Sequence, residues 1–187
     1  EAHVKELAIQ VSNGYVYVLN DVMSPLVESL YERISESSNK YSIFVDALEQ
    51  TSWKDSMSTI YDEIRQEDNT VIQQKRNYTL LAVSDDTYRS EGVTSVADLA
   101  AKVGAIGTDY KDKELFRYVA YHVIGGSYSV FDFNNFSGGA TTRLWTTKAD
   151  AVLEASMQSG NKLYFNYKGE IDGQSVKAMF VEDGSDV

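Results

Sequence analysis

Hydrophobic positions along the chain follow two periods, and the change between them outlines the fold. Leu26, Leu30 and Ile34 recur every fourth residue, with Val27 and Tyr31 beside them, and predict a helix with one apolar face. Ser24-Pro25 supplies its N-cap and first helical position. Ser37-Ser38-Asn39 breaks it. A second helix carries Ile43, Phe44, Ala47 and Leu48. A third, near residues 55 to 65, carries Met57, Ile60, Tyr61 and Ile64. Ser95 with Asp98 forms a capping box and opens a helix through Leu99 and Val103, which Gly104 and Gly107 close. Asp112 caps the next, with a stripe of Leu115, Val119 and Val123, His122 beside the stripe, and Gly125-Gly126 at its end.

Other stretches read as strands. Residues 78 to 84, YTLLAVS, are short and apolar. Segments 141 to 146, 150 to 156, 162 to 168 and 176 to 181 follow, separated by glycine-containing turns. At the front, Val16, Val18 and Val22 alternate with Tyr15, Tyr17 and Asn20 over part of residues 13 to 23. Asn13-Gly14 ahead of them suits the positive φ of a tight turn. Helices first and strands later predict an α+β domain, without internal repeat or low-complexity segment.

Composition narrows the function classes. The 187 residues suffice for one domain with a full core, and 43% hydrophobic residues mark a globular chain. The longest apolar runs fall far short of a membrane span. Net charge is −11, from 28 acidic against 17 basic residues, which repels phosphate backbones and argues against nucleic-acid partners. Cysteine is absent, which removes disulfides, thiolate nucleophiles and cysteine-ligated zinc. Thirteen tyrosines serve strand and core packing or, alternatively, a sticky surface for proteins or glycans.

Candidate chemistry is sparse. Histidine occurs twice, and His122 lies against an apolar stripe, where satisfying buried polar groups is the favoured role. No G-x-S-x-G elbow and no G-x-x-x-x-G-K phosphate loop is present. Asp85-Asp86 follows a strand and is expected to cap the next helix, not to hold a cation. Asp109, Asp112 and Glu114 lack the spacing of a calcium loop and read as a solvated face. No metal and no cofactor is expected. Phe131, Phe133 and Phe136 lie in a polar, glycine-ended stretch, either tucked onto the domain or forming a contact loop.

Four segments together resemble a fasciclin-type adhesion domain. Residues 41 to 48, YSIFVDAL, resemble the helix that opens such a domain. Residues 79 to 88, TLLAVSDDTY, with Thr79, Ala82 and Asp85, resemble its first motif, a strand turning into a helix; Val83 stands where proline is usual and Tyr88 where phenylalanine is. Tyr121-His122 and the four residues after them resemble its Tyr-His motif. Residues 13 to 25, with Asn13, Gly14, Val16 and Val18, resemble its closing motif, with Tyr17 in place of histidine and Asn20 in place of aspartate.

The resemblance implies a β-wedge or sandwich with helices packed on it, and a non-catalytic role in adhesion or recognition outside cells. Its partners would be a cell-surface or matrix protein or a polysaccharide, and its place a cell surface, outer membrane or periplasm, with a bacterial envelope preferred. A glycan-processing accessory protein or hydrolase on the same scaffold is the alternative. Tyr121 and His122 become candidates for an adhesion surface, beside their structural reading. Integrin-type contact, which animal members make through an Asp-Ile pair, meets Ala8-Ile9 here. Asn77 and Asn135 fit the glycosylation pattern. Because the closing motif comes first, residues 1 to 24 read as a closing-strand segment, and residues 25 to 187 as a domain lacking that strand. The expectation is that residues 8 to 22 fill the sheet, within one chain or from a neighbouring copy, the latter giving a homo-oligomer by strand exchange.

Overall fold

The computed structural model describes residues 4–22, 27–104, 114–134, 142–158, 162–168, 170–171, 174–175 and 178–179. The fold is α+β, with antiparallel sheets throughout.

The first helix, α1 (Leu30–Glu36), starts five residues later than Ser24-Pro25 suggests, and that dipeptide lies outside the described residues. Ser29 is the cap. Its hydroxyl accepts from the Glu32 N–H at 3.2 Å, and the Glu32 carboxylate accepts the Ser29 N–H at 2.7 Å. This reciprocal box satisfies two donors that the first helical turn leaves unpaired, which Pro25 cannot do. Helix α2 (Ser38–Gln50) follows at the predicted break and kinks at Tyr41. Ile43, Phe44, Ala47 and Leu48 all face the interior, at 3% exposure or less.

Helix α3 (Trp53–Ser58) ends before most of the residues expected to build it. Met57, Ile60, Tyr61 and Ile64 match helical spacing, yet Tyr61–Arg65 is strand β3, paired with β4 (Val71–Lys75). The turn between them decides this. Gln66 N–H bonds Thr70 C=O, Asp68 accepts from Thr70, and Asn69 takes the left-handed conformation at φ +66°.

Strand β5 (Tyr78–Leu80) leads into α4 (Asp85–Ser90) and α5 (Val96–Val103). Ser95 accepts the Asp98 N–H and Gly104 ends α5 in the left-handed region, as expected, but the Asp98 carboxylate accepts the Thr94 N–H at 3.0 Å in place of the Ser95 N–H that a full capping box would use. Gly107 and Asp112 lie outside the described residues. Helix α6 (Glu114–Tyr121) stops short of the predicted stripe: Val123 belongs to strand β6 (Val123–Gly125), so Gly125-Gly126 closes a strand and not a helix. Helix α7 (Val130–Asn134) is short. Strands β7 (Thr142–Thr146), β8 (Val152–Gln158), β9 (Lys162–Phe165) and β12 (Ala178–Met179) form a sheet in the order β12-β9-β8-β7, with β10 (Glu170–Ile171) and β11 (Gln174–Ser175) as a small hairpin.

Two apolar clusters meet at β6. Phe44, Leu48, Val119 and Val123 centre the helical cluster, and Phe133, Trp145, Leu153 and Phe165 the sheet cluster, which Ile124 joins. Successive strand residues point to opposite faces, so Val123 and Ile124, both buried, serve one cluster each.

Among the described residues, strands β1 (Val4–Val11) and β2 (Gly14–Leu19) pair only with each other, so the expected insertion of residues 8 to 22 into another sheet of their own chain is not seen there. Nor do Asn13-Gly14 form the turn. Val11 pairs with Gly14, so Ser12 and Asn13 span it, and neither Asn13 nor Gly14 has a positive φ. The left-handed residue is Ala8, at φ +43°, where the ladder shifts register between Glu6 and Ile9.

Candidate interaction site

The Tyr-His motif is built into the fold. His122 stands just past the end of α6, and its Nδ1 lies 2.9 Å from the Tyr118 carbonyl, to which a protonated Nδ1 donates. Its ring meets Tyr118 at 4.5 Å between centroids and the buried Phe44 edge-on at 5.7 Å. Burial holds its pKa below the ordinary histidine value, against the opposing pull of the Tyr118 carbonyl. Its own carbonyl accepts the Leu81 N–H at 2.8 Å, joining β5 to the helix end. The Tyr121 hydroxyl donates to the Val152 carbonyl at 3.1 Å and accepts from Asn166 at 2.9 Å. Both side chains tie α6 to its neighbours.

Asp85 has a different role from the one its position suggests. Ser84 caps α4, accepting the Thr87 N–H. The buried Asp85 carboxylate reaches across to α2 instead. It accepts from the Ser42 hydroxyl at 2.5 Å and from the Ile43 N–H at 3.0 Å, just past the kink at Tyr41. It thus caps the straight part of α2 from outside. Burial pushes its pKa up, but the bonds from Ser42 and Ile43, with Arg89 at 3.6 Å, outweigh this and hold it below the usual carboxylate range.

The phenylalanine stretch divides. Phe133 is 4% exposed and packs against Trp145 and Phe165, so it is core and not contact surface. Phe131, in the same short helix, is 71% exposed. Phe136 and Asn135 lie outside the described residues. Thr79 stitches β5 to the segment after β6, its hydroxyl donating to the Gly126 carbonyl and accepting the Tyr128 N–H, both at 2.8 Å. Gly126 sits at φ +109°, and a Cβ there would lie 2.8 Å from the Tyr128 ring. Ala82 is exposed on the connection to α4.

Most of the other exposed apolar side chains lie on strands. Tyr15 and Tyr17 of β2 are 62% and 54% exposed, on one face of the hairpin; Ile9, Val11 and Val16 are exposed on the other. Val18 is half-buried, and Asn13 and Gly14 lie at the exposed tip. The β3–β4 hairpin repeats the arrangement with Tyr61, Ile64, Val71 and Ile72.

Beside β5 runs an open groove of about 690 Å3. Leu30, Met57, Tyr78, Leu80, Tyr128 and Phe133 are among its apolar lining residues. Arg76 at the rim forms a two-pronged pair with Asp62 and fixes the base of the β3–β4 hairpin. The groove and the second hairpin escape sequence reasoning, because the first depends on an unpaired strand edge and the second mimics helical spacing. The Asp68-Asn69 turn between Ile64 and Val71 was the available signal.

Among the described residues no cluster of three histidine or acidic side chains is placed to hold a metal, and no helix is long and apolar enough to cross a membrane. In comparisons with known proteins, no family model matches the chain and no curated protein matches it.

Proposed function

We propose that the chain is a non-catalytic adhesion or recognition module of the fasciclin type. It acts at a cell surface or in an extracellular matrix, on a protein or polysaccharide partner, with a bacterial outer membrane or periplasm as the favoured setting. The observation that carries this reading is the β1–β2 hairpin, which holds two tyrosines and four aliphatic side chains in water. An isolated two-stranded hairpin is marginally stable, and exposed apolar strands are recognition elements when they find a partner and aggregation hazards when they do not. The local geometry supports the family resemblance: the first motif is strand β5 turning into helix α4, the Tyr-His motif ends α6, and Leu81 N–H joins the two at His122. The β-wedge reading rests on the same junction.

The hydrolase alternative draws no support from His122, whose ring is packed among aromatics with Nδ1 on a backbone carbonyl. The test is attachment of protein-coated beads to surfaces bearing matrix proteins or polysaccharides. Attachment well above an albumin control, and lost in the Tyr15→Ser/Tyr17→Ser double variant, is expected. Attachment equal to the control, or unaffected by the double variant, would overturn the reading.

A further inference from the structure

The groove beside β5 and the bare hairpin have complementary shapes and chemistry. Asn77 C=O accepts the Gly126 N–H and Leu81 N–H reaches His122 C=O, so residues 77, 79 and 81 direct their backbone groups at β6. Alternate residues of a strand face opposite neighbours. Tyr78 and Leu80 therefore turn their N–H and C=O outward along the groove, where no strand pairs with β5 among the described residues. Among the described residues strand β2 is an edge of the same kind, with β1 on one side and no strand on the other.

We propose that β2 of a second copy of this chain docks along β5, its free edge against the free edge of β5, with side chains of one face in the groove. The docked unit would read β1-β2-β5-β6 across two chains. The proposal rests on the reading of the hairpin as a recognition element and names its partner.

Three features favour a second copy. Neither Gly14–Leu19 nor Tyr78–Leu80 contains a charged residue, so the paired strands bring no charge of their own to the contact although each chain carries −11 overall; the charged side chains there are those of the groove lining, Glu28, Arg33, Lys75, Arg76 and Asp132. The six residues of β2 are long enough to run beside the five lining residues 77 to 81. Area points to a reciprocal exchange. A specific interface buries about 1,200–2,000 Å2, more than one six-residue strand in one groove supplies, and a twofold dimer exchanges two such strands. Because the copies repel one another by net charge, salt should tighten the dimer.

The absence of cysteine makes the test clean. Sedimentation of the full chain should show a concentration-dependent dimer that strengthens with ionic strength. Tyr17→Asp, at an exposed position, should weaken it by at least about tenfold. Val16→Cys and Leu80→Cys, prepared separately and mixed under mild oxidation, should give a disulfide between the two variants. Asn77→Cys, at an exposed position in the groove, replaces Leu80→Cys if that variant unfolds. A monomer at every concentration overturns the proposal. So does a double variant, Val16→Cys with Leu80→Cys, that closes its disulfide within one chain at high dilution. A monomer whose beads still attach to a matrix would defeat this inference and leave the adhesion reading standing. A dimer crosslinked as described whose beads attach to nothing would do the reverse.

Discussion

Helix α2 and the β1–β2 hairpin are both dense in apolar side chains, and they end in opposite places. Phe44 and Leu48 on α2 are fully buried, whereas Tyr15, Val16 and Tyr17 on β2 stand about half exposed. The difference lies in available partners. Helix α2 is met by α1, α3, α4, α5 and α6, and its apolar stripe is covered from several sides. Among the described residues the hairpin pairs only within itself, and two strands cannot cover both of their own faces. Apolar density alone does not make a core. If the comparison is sound, substitutions in the first region alter stability, and those in the second alter association.

The largest effect belongs to Phe44→Ala. The ring is fully buried and touches His122 edge-on, so its loss leaves a cavity at the centre of the helical cluster. The expected cost is about 3–5 kcal/mol, read from the urea midpoint at unchanged slope. A cost near zero would mean that this cluster is as loosely held as the hairpin.

Asp85→Ala comes next. It leaves the Ser42 hydroxyl and the buried Ile43 N–H without their acceptor, at about 1.5–3 kcal/mol. The pH dependence carries a signature. The folded pKa lies below the ordinary aspartate value of about 3.9. As pH falls, the unfolded chain therefore takes up the proton first. The stability contributed by the carboxylate is complete above about pH 5 and drains away as pH falls through 3.9 toward the lower folded value. Asp85→Asn should lose stability at neutral pH and show a shallower acid decline than the parent in parallel urea titrations.

Much of this first region is legible in the sequence, and the reasons are local. Ser95 with Asp98 and Gly104 mark α5 because capping and left-handed termination depend on neighbours in the chain. The failures are equally specific. Met57 to Ile64 satisfies helical spacing but is divided between α3 and β3, because the turn at Asp68-Asn69 folds the later residues onto β4. Asp85 serves a helix some forty residues earlier, and no short-range rule reveals that. The groove is a property of an unpaired edge, which exists only once β5 has paired on its other side.

His122→Ala tests the junction between β5, α6 and α2, at roughly 1–3 kcal/mol for the lost contacts and the orphaned polar group. Burial lowers the folded pKa, so the unfolded chain binds the proton more readily. Its contribution is complete above the unfolded value of about 6.5 and is lost progressively as pH falls from there toward the folded value. Replacement by a non-titrating residue should flatten the stability profile just below pH 6.5. An unchanged melting temperature together with lost attachment would make His122 a contact residue instead.

The smallest effect on stability, and the sharpest test of the comparison, is expected from Tyr15→Ser/Tyr17→Ser. Both rings are more than half exposed, and among the described residues their hairpin joins no other sheet of its own chain. Surface substitutions away from buried or strained features usually fall within about ±0.5 kcal/mol. Urea unfolding of the dilute double variant should therefore overlay that of the parent. At high concentration the two curves should separate, because a dimer adds to the apparent stability of the folded chain and a monomer does not. A large loss at high dilution would mean that the hairpin supports its own domain, and the contrast between a packed α2 and a bare β2 would no longer hold.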